Sequence, residues 1–179
     1  MPGFFSKLVG KDVASRVRDI QYLGNMDSYS SIPKLIKALD DDVVEVRRAA
    51  ALALGQHSRT GNEDAILALT KALGDKDAEV RKYTALSLGD FIIASKGVGK
   101  AEDAKKALIS LLESENDPDV IKNIVISFAQ IQDTALIGPM INALKSKDKK
   151  TISMAIDAIN NFLVTDTRLE MKKALRSLL

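Results

Sequence analysis

Cysteine and tryptophan are absent from the 179 residues, histidine occurs once, and aromatic residues make up only 4%. Without cysteine there are no disulfides, no thiolate metal ligands and no cysteine nucleophile. With so few aromatics the core must be aliphatic, and the 46% hydrophobic share supplies it at an ordinary globular level. Long apolar runs are missing as well. The opening MPGFFSKLVG is too short in apolar content for a signal peptide, and no later stretch could cross a bilayer, so a soluble cytoplasmic protein without membrane contact is expected. Strong net charge is also lacking. The formal value is +2, with 14 basic and 17 acidic side chains in residues 30–134 against eight and four in residues 135–179. Such interleaving is not the footprint of a nucleic-acid-binding surface.

What the chain does have is self-similarity. EVRRAAALALG (Glu45 to Gly55) returns as EVRKYTALSLG (Glu79 to Gly89), a spacing typical of helical repeat units. The register continues to DVIKNIVISFA (Asp119 to Ala129) and to TISMAIDAINN (Thr151 to Asn161), with ASRVRDIQYLG (Ala14 to Gly24) as a weaker copy before the first. Three columns organise these copies: Val46, Val80, Val120, Ile152; Leu39, Leu73, Leu112, Leu144; and Leu23, Leu54, Leu88, Phe128. Gly24, Gly55 and Gly89 follow the last column and give way to Ala129 and Asn161.

Each unit reads as two helices. IPKLIKALDDD and AILALTKALGDKD place apolar residues at i, i+3, i+4 and i+7, the helical period. Acidic turns follow (Asp40 to Asp42, Asp75 to Asp77, Glu115 to Asp117, Asp148), where carboxylates suit the positive start of the next helix. Pro33 and Pro139 stand at helix starts, where a missing N–H is harmless. No hairpin signal occurs, so the class is all-α.

PKLIKALDDDVVEVRRAAALALG and LALTKALGDKDAEVRKYTALSLG together carry a helix ending in Ala-Leu, an acidic turn, Val-Arg, then small residues and Leu-Gly. In this the chain resembles the HEAT repeats, specifically the short type named after phycobilisome lyases. The resemblance covers residues 30–90 closely and 103–163 more loosely. It implies a right-handed α-solenoid of about four to five helix pairs, in which second helices line the concave face. One domain is expected over 1–179, with repeats near 4–29 (a degenerate cap), 30–60, 64–95, 103–133 and 135–164, closed by a helix at 166–179. Leu169, Leu175, Leu178 and Leu179 are its inward candidates, and FFSKLVG would cap the opposite end. Ile121 and Ser153 stand where the first two copies have Arg47 and Arg81, so an acid–arginine ladder is not expected to run the whole length.

Catalytic candidates are eliminated one by one. His57 shares its column with Met26, Phe91, Ile131 and Leu163, all packing residues, and reads as structural. A single His also excludes the several His-Glu metal motifs that a resemblance to deoxyhypusine hydroxylases would require. SKGVGKAED fails as a phosphate loop, because Ala94 stands where the first glycine is needed and Ala101 where Ser or Thr is needed. Carboxylate clusters such as LDDD recur at one turn and lack EF-hand spacing, so no metal site is expected. No catalytic residue and no cofactor are assigned.

A binding pattern remains. At 100° per residue, Arg48 and Leu52 lie opposite the buried direction of their helix. Their equivalents are Lys82 and Leu86, Lys122 and Ile126, then Met154 and Ala158. A basic column thus runs beside an aliphatic one, and Arg48, Leu52, Lys82, Leu86, Lys122 and Ile126 are the candidate binding residues. Glu45, Glu79 and Asp119 stand three residues before each base, where i,i+3 pairing would neutralise it. The expected function is a non-catalytic protein–protein scaffold whose partner carries apolar anchors and acidic flanks. Nucleic-acid binding and a bilin-lyase-like role are the alternatives.

Overall fold

The structure, a computed structural model, describes residues 12–26, 28–95, 99–160 and 166–179. Phe4 to Gly10, Lys96, Gly97, Asn161 and Leu163, invoked above, lie outside the described residues. Ten α-helices run through the rest: α1 (Val13–Asn25), α2 (Ile32–Ala38), α3 (Val44–Gln56), α4 (Glu63–Ala72), α5 (Ala78–Ala94), α6 (Ala101–Ser114), α7 (Pro118–Ile131), α8 (Ile137–Leu144), α9 (Lys149–Asn160) and α10 (Asp166–Arg176). No strand occurs among the described residues.

The helices form two layers. α1, α3, α5, α7 and α9 stack side by side as second helices, and α2, α4, α6, α8 and α10 stack as first helices. A short helix that buries one face leaves its flanks bare, so each pair is completed by the next, and the result is an α-solenoid. The core between layers is aliphatic: Leu35, Leu54, Leu69, Leu88, Leu108 and Leu112 are each 0% exposed, with Phe91 and Phe128 as the buried aromatics.

The acidic turns do two jobs. One carboxylate caps the following helix: Asp77 accepts from Val80 N–H at 3.0 Å, Asp117 from Val120 N–H at 3.1 Å, and Asp148 from Thr151 N–H at 3.0 Å. Another takes an arginine from the preceding repeat. Arg47 donates to Asp75 at 2.7 and 3.1 Å and to the carbonyls of Asp41 and Asp42. Arg81 repeats this with Glu115 at 2.6 and 3.0 Å and with the carbonyls of Asp75 and Lys76. Arg16 begins the series on Asp41 and Asp42. The ladder therefore has three rungs and stops at Ile121, which is buried as plain core. The LDDD cluster is explained by the same pairing, since Asp40 meets Lys71 while Asp41 and Asp42 meet Arg16. No group of three or more His, Cys, Asp or Glu side chains among the described residues could hold a metal ion.

Second helices approach each other through a seam of small residues. A Cβ on Gly55 would lie 2.5 Å from Ser87 Oγ, and one on Gly89 would lie 2.9 Å from Ser127 Cβ. A Cβ on Gly24 would lie 2.7 Å from that of Ala53. Ser87 Oγ donates across the seam to Ala51 C=O at 2.7 Å, and Ser127 Oγ to Ala85 C=O at 3.1 Å.

Two readings of the sequence need correction. The last repeat is shifted by one: Thr151, not Ile152, occupies the Val120 position. The buried set Thr151, Ile152, Ala155, Ile156, Ala158, Ile159 maps one to one onto Val120, Ile121, Ile124, Val125, Ser127, Phe128, and capping Asp148 maps onto Asp117 in the same register. Ser153 and Asp157, rather than Met154 and Ala158, therefore continue the Lys122 and Ile126 columns. In α10, Met171 and Leu175 face inward at 0% exposure, whereas Leu169 and Leu179 are 42% and 49% exposed. Helical phase decides this, because Met171 and Leu175 stand at i and i+4 and Leu169 falls off their face.

Candidate protein-binding face

Within each second helix, one stripe stays out of both the core and the inter-repeat seams. On α3 it consists of Glu45, Arg48, Ala49, Leu52 and Gln56, with positions between them buried. α5 presents Glu79, Lys82, Tyr83, Leu86 and Asp90 in the same register, and α7 presents Asp119, Lys122, Asn123, Ile126 and Gln130. All six candidate residues thus share one solvent-facing surface. Leu52 is 50% exposed, while Leu86 and Ile126 are half-buried beside it.

The basic column is already paired. Arg48 does not use Glu45; it makes a bidentate contact with Asp77 of the next repeat at 2.9 and 2.8 Å. A guanidinium fork is long and planar enough to bridge to the neighbouring cap, which a same-helix i,i+3 pair would not exploit. The bond to Arg48 holds the Asp77 carboxyl down at about 2 against an ordinary 3.8. Lys82 does take Glu79 and lies 4.7 Å over the Tyr83 ring, and Lys122 approaches Asp119 at a looser 3.7 Å. Burial is the largest single influence on Lys82 and would lower its pKa, but the bond to Glu79 together with the charges of Tyr83, Glu79 and Asp119 outweighs it, and the ammonium is held above its usual value.

His57 is buried at 5% exposure, as its column implies, yet it also has a polar role. Its Nε2 lies 3.1 Å from the carbonyl of Leu23 near the end of α1. Two stacked second helices are tied there through a side chain that could have been wholly apolar. In the α5–α6 connection, Gly99 adopts φ 64° and packs beside Glu63, and Lys100 enters the turn that starts α6. Lys105 is not a free cation of that region, being held by Glu102 at 2.8 Å and Asp133 at 2.6 Å.

Sequence reasoning missed a third column on this face. Asn25, Gln56 and Asp90 are exposed and Gln130 is half-exposed, one position beyond Gly24, Gly55, Gly89 and Ala129 in the first four copies. The same self-alignment contained it. Asn25 and Gln56, with Gln21 and Leu52, line a cleft of about 280 Å³ between α1 and α3. Asp90 has no ion-pair partner among the described residues, and burial alone pushes its carboxyl above the ordinary value.

The sequence profile of the HEAT repeats matches residues 2–89 and again 32–127, which between them take in well over half of the chain. The chain belongs to the HEAT-repeat family. No curated protein matches it. Among solved structures, two crystal structures of engineered proteins are similar to it at 19% and 18% identity. They cover 96% and 95% of this chain and 94% and 96% of their own, with TM-scores of 0.54 and 0.56. A computationally designed armadillo repeat protein for modular peptide recognition is 20% identical over 93% of each chain, with a TM-score of 0.51. At such identities these neighbours show the same helical-repeat architecture and nothing finer. The complex of CpcE and CpcF of phycocyanin lyase from Nostoc sp. PCC7120 is 18% identical over 97% of this chain and 92% of its own, with a TM-score of 0.47. No helix of this HEAT-repeat chain, among the described residues, is long and apolar enough to cross a membrane.

Proposed function

We propose that the chain is a non-catalytic scaffold that binds another protein along the solvent-facing stripe of its second helices, the concave side of the solenoid. The observation that carries this is the aliphatic column of exposed Leu52 and half-buried Leu86 and Ile126, flanked by Arg48, Lys82 and Lys122 over three consecutive repeats. A second helix that had only to stack would gain nothing from a half-exposed Leu at that position. The partner supplies apolar anchors for the aliphatic column and acidic groups that exchange with Glu79 and Asp119. Those same-helix acids bind their lysines weakly, since i,i+3 pairs contribute only about 0.2–0.5 kcal/mol.

The test compares Leu52→Asp with Leu86→Asp, and Arg48→Glu with Lys82→Glu, in affinity capture from the source cells, with helix content checked by circular dichroism. Both double variants should fold. The aspartate pair should abolish capture, and the charge reversal should slow association. Folded variants that capture the same partner unchanged would move the binding face elsewhere. The basic surface of α10 (Lys172, Lys173, Arg176) is the next candidate, because residues 135–179 hold the excess positive charge.

A further inference from the structure

The third column distinguishes between kinds of partner segment. Gln21, Asn25 and Gln56 converge on the cleft between α1 and α3 and are exposed, and their side chains make no hydrogen bond to any described residue. Gln56 lies over Gly24, its Oε1 closer than van der Waals contact to where a Cβ would stand. That close approach brings it to the wall of α1 beside Asn25. Each of these side chains offers an N–H₂ donor and a carbonyl acceptor. A helical ligand has satisfied its own backbone and presents only side chains, so free amides add little to its binding. An extended segment presents bare N–H and C=O groups along its length, and primary amides match both. Leu52 supplies the apolar floor at 50% exposure.

Asp90 continues the column one repeat further along, with Gln130 beyond it. Among the described residues no cation pairs with Asp90, on a face where Arg48, Lys82 and Lys122 all have acids. The basic column lies eight residues, about 12 Å, toward the N-terminal ends of these helices and is occupied there. Partial desolvation holds the Asp90 carboxyl above its ordinary value.

We infer that the cleft formed by Gln21, Asn25, Leu52 and Gln56, together with Asp90, seats an extended peptide segment carrying a Lys or Arg that pairs with Asp90. The inference rests on the reading that this face is the binding face and names the conformation and charge of what it binds. Backbone pairing to the amides fixes direction and register. The cation selects among sequences.

The experiment is selection of random dodecapeptides displayed on phage against the full chain, repeated on Asp90→Lys. Wild-type selection should enrich peptides with a Lys or Arg at a fixed spacing from an apolar residue, and Asp90→Lys should enrich Asp or Glu there instead. Asn25→Ala with Gln56→Ala should weaken a selected peptide by about thirtyfold whatever its side chains, two lost hydrogen bonds at roughly 1 kcal/mol each. Methylating the peptide's backbone nitrogens should weaken it comparably. Enriched peptides of helical period, no enrichment, or no change of selected charge on Asp90→Lys would each overturn the inference. Failure of the two readings separates cleanly. If Leu52→Asp with Leu86→Asp abolishes capture of the cellular partner while the amide and Asp90 variants leave it intact, the face binds a different kind of segment. If none of these variants affects capture, the face itself is not used.

Discussion

Arg47→Met removes the middle rung of the inter-repeat ladder. The side chains of Arg47 and Asp75 are only 7% and 11% exposed and meet through two hydrogen bonds. Arg47 also donates to the carbonyls of Asp41 and Asp42 at 2.9 and 3.1 Å, which close the turn before α3. Met keeps the length and apolar stem but strands the Asp75 carboxylate and both carbonyls. Breaking a buried pair from one side costs about 3–5 kcal/mol. Asp75 keeps one stabilising bond, from the Asp77 amide at 2.8 Å, which argues for the lower end, about 3 kcal/mol. Asp75→Asn retains an acceptor for that amide and loses the charge, so it should cost about 1–2 kcal/mol. The double variant should cost less than the sum, with a coupling of about 2 kcal/mol, because nothing charged is then left unpaired. Urea unfolding followed by circular dichroism measures all three. A single-variant loss under about 1 kcal/mol, or strict additivity, would refute the view that the rung is a desolvated, mutually dependent pair.

The acid limb of stability should depend on Arg48. Because the Asp77 carboxyl falls from 3.8 to about 2 on folding, its contribution is complete above pH 4 and lost as pH falls toward 2. Arg48→Met should flatten that window in a plot of unfolding free energy against pH, and an unchanged acid limb would assign the shift to the Val80 amide instead. Gly55→Ala should cost about 1–3 kcal/mol in thermal or urea unfolding by overpacking the seam against Ser87, with part recovered by Ser87→Gly; recovery absent would place the strain elsewhere. His57→Leu should destabilise by about 1–2 kcal/mol through the lost Leu23 carbonyl contact, and a neutral result would show that water replaces the imidazole.

The layered fold was legible because repetition amplifies weak signals. A single Leu at position 54 says little, but Leu54, Leu88 and Phe128 at one register place a buried column, and all three are 0% exposed. Helix starts were legible from Asp77 and Asp117 for the same reason. Partner choice was not. Whether Arg48 turns to Glu45 on its own helix or to Asp77 on the next depends on inter-helix distance, which spacing along one helix does not encode. The last repeat misaligned because Ile152 imitates the Val46 column chemically. The capping pair Asp117 and Asp148, exposed to less chemical mimicry, carried the correct register. The third column escaped notice because Asn25, Gln56, Asp90 and Gln130 differ in residue type, and a column is easiest to see when it repeats one.

Two kinds of adhesion divide the stack. From α1 to α6, neighbouring repeats are joined by arginine rungs that reach a carboxylate of the next repeat, and Arg47 and Arg81 also hold the turn carbonyls before their own helices, so each turn is fixed by its neighbour. Beyond Arg81 the position becomes Ile121, then Ile152, and Ser146 stands where the next acid would be. Lys147 instead reaches back to the carbonyls of Glu113 and Glu115. Burying Ile in place of a paired Arg conserves packing without requiring a partner, which is why the loss of arginine and acid together leaves no stranded charge. It also removes the directional constraint, since apolar contacts tolerate small rotations that a bidentate pair resists. The amides of the third column and Asp90 lie mainly on the laddered half, where Asn25, Gln56 and Asp90 belong to the helices that carry Arg16, Arg47 and Arg81. A surface that must present backbone-matching groups at fixed spacing gains from that rigidity, because side chains held in register lose less freedom when a ligand arrives.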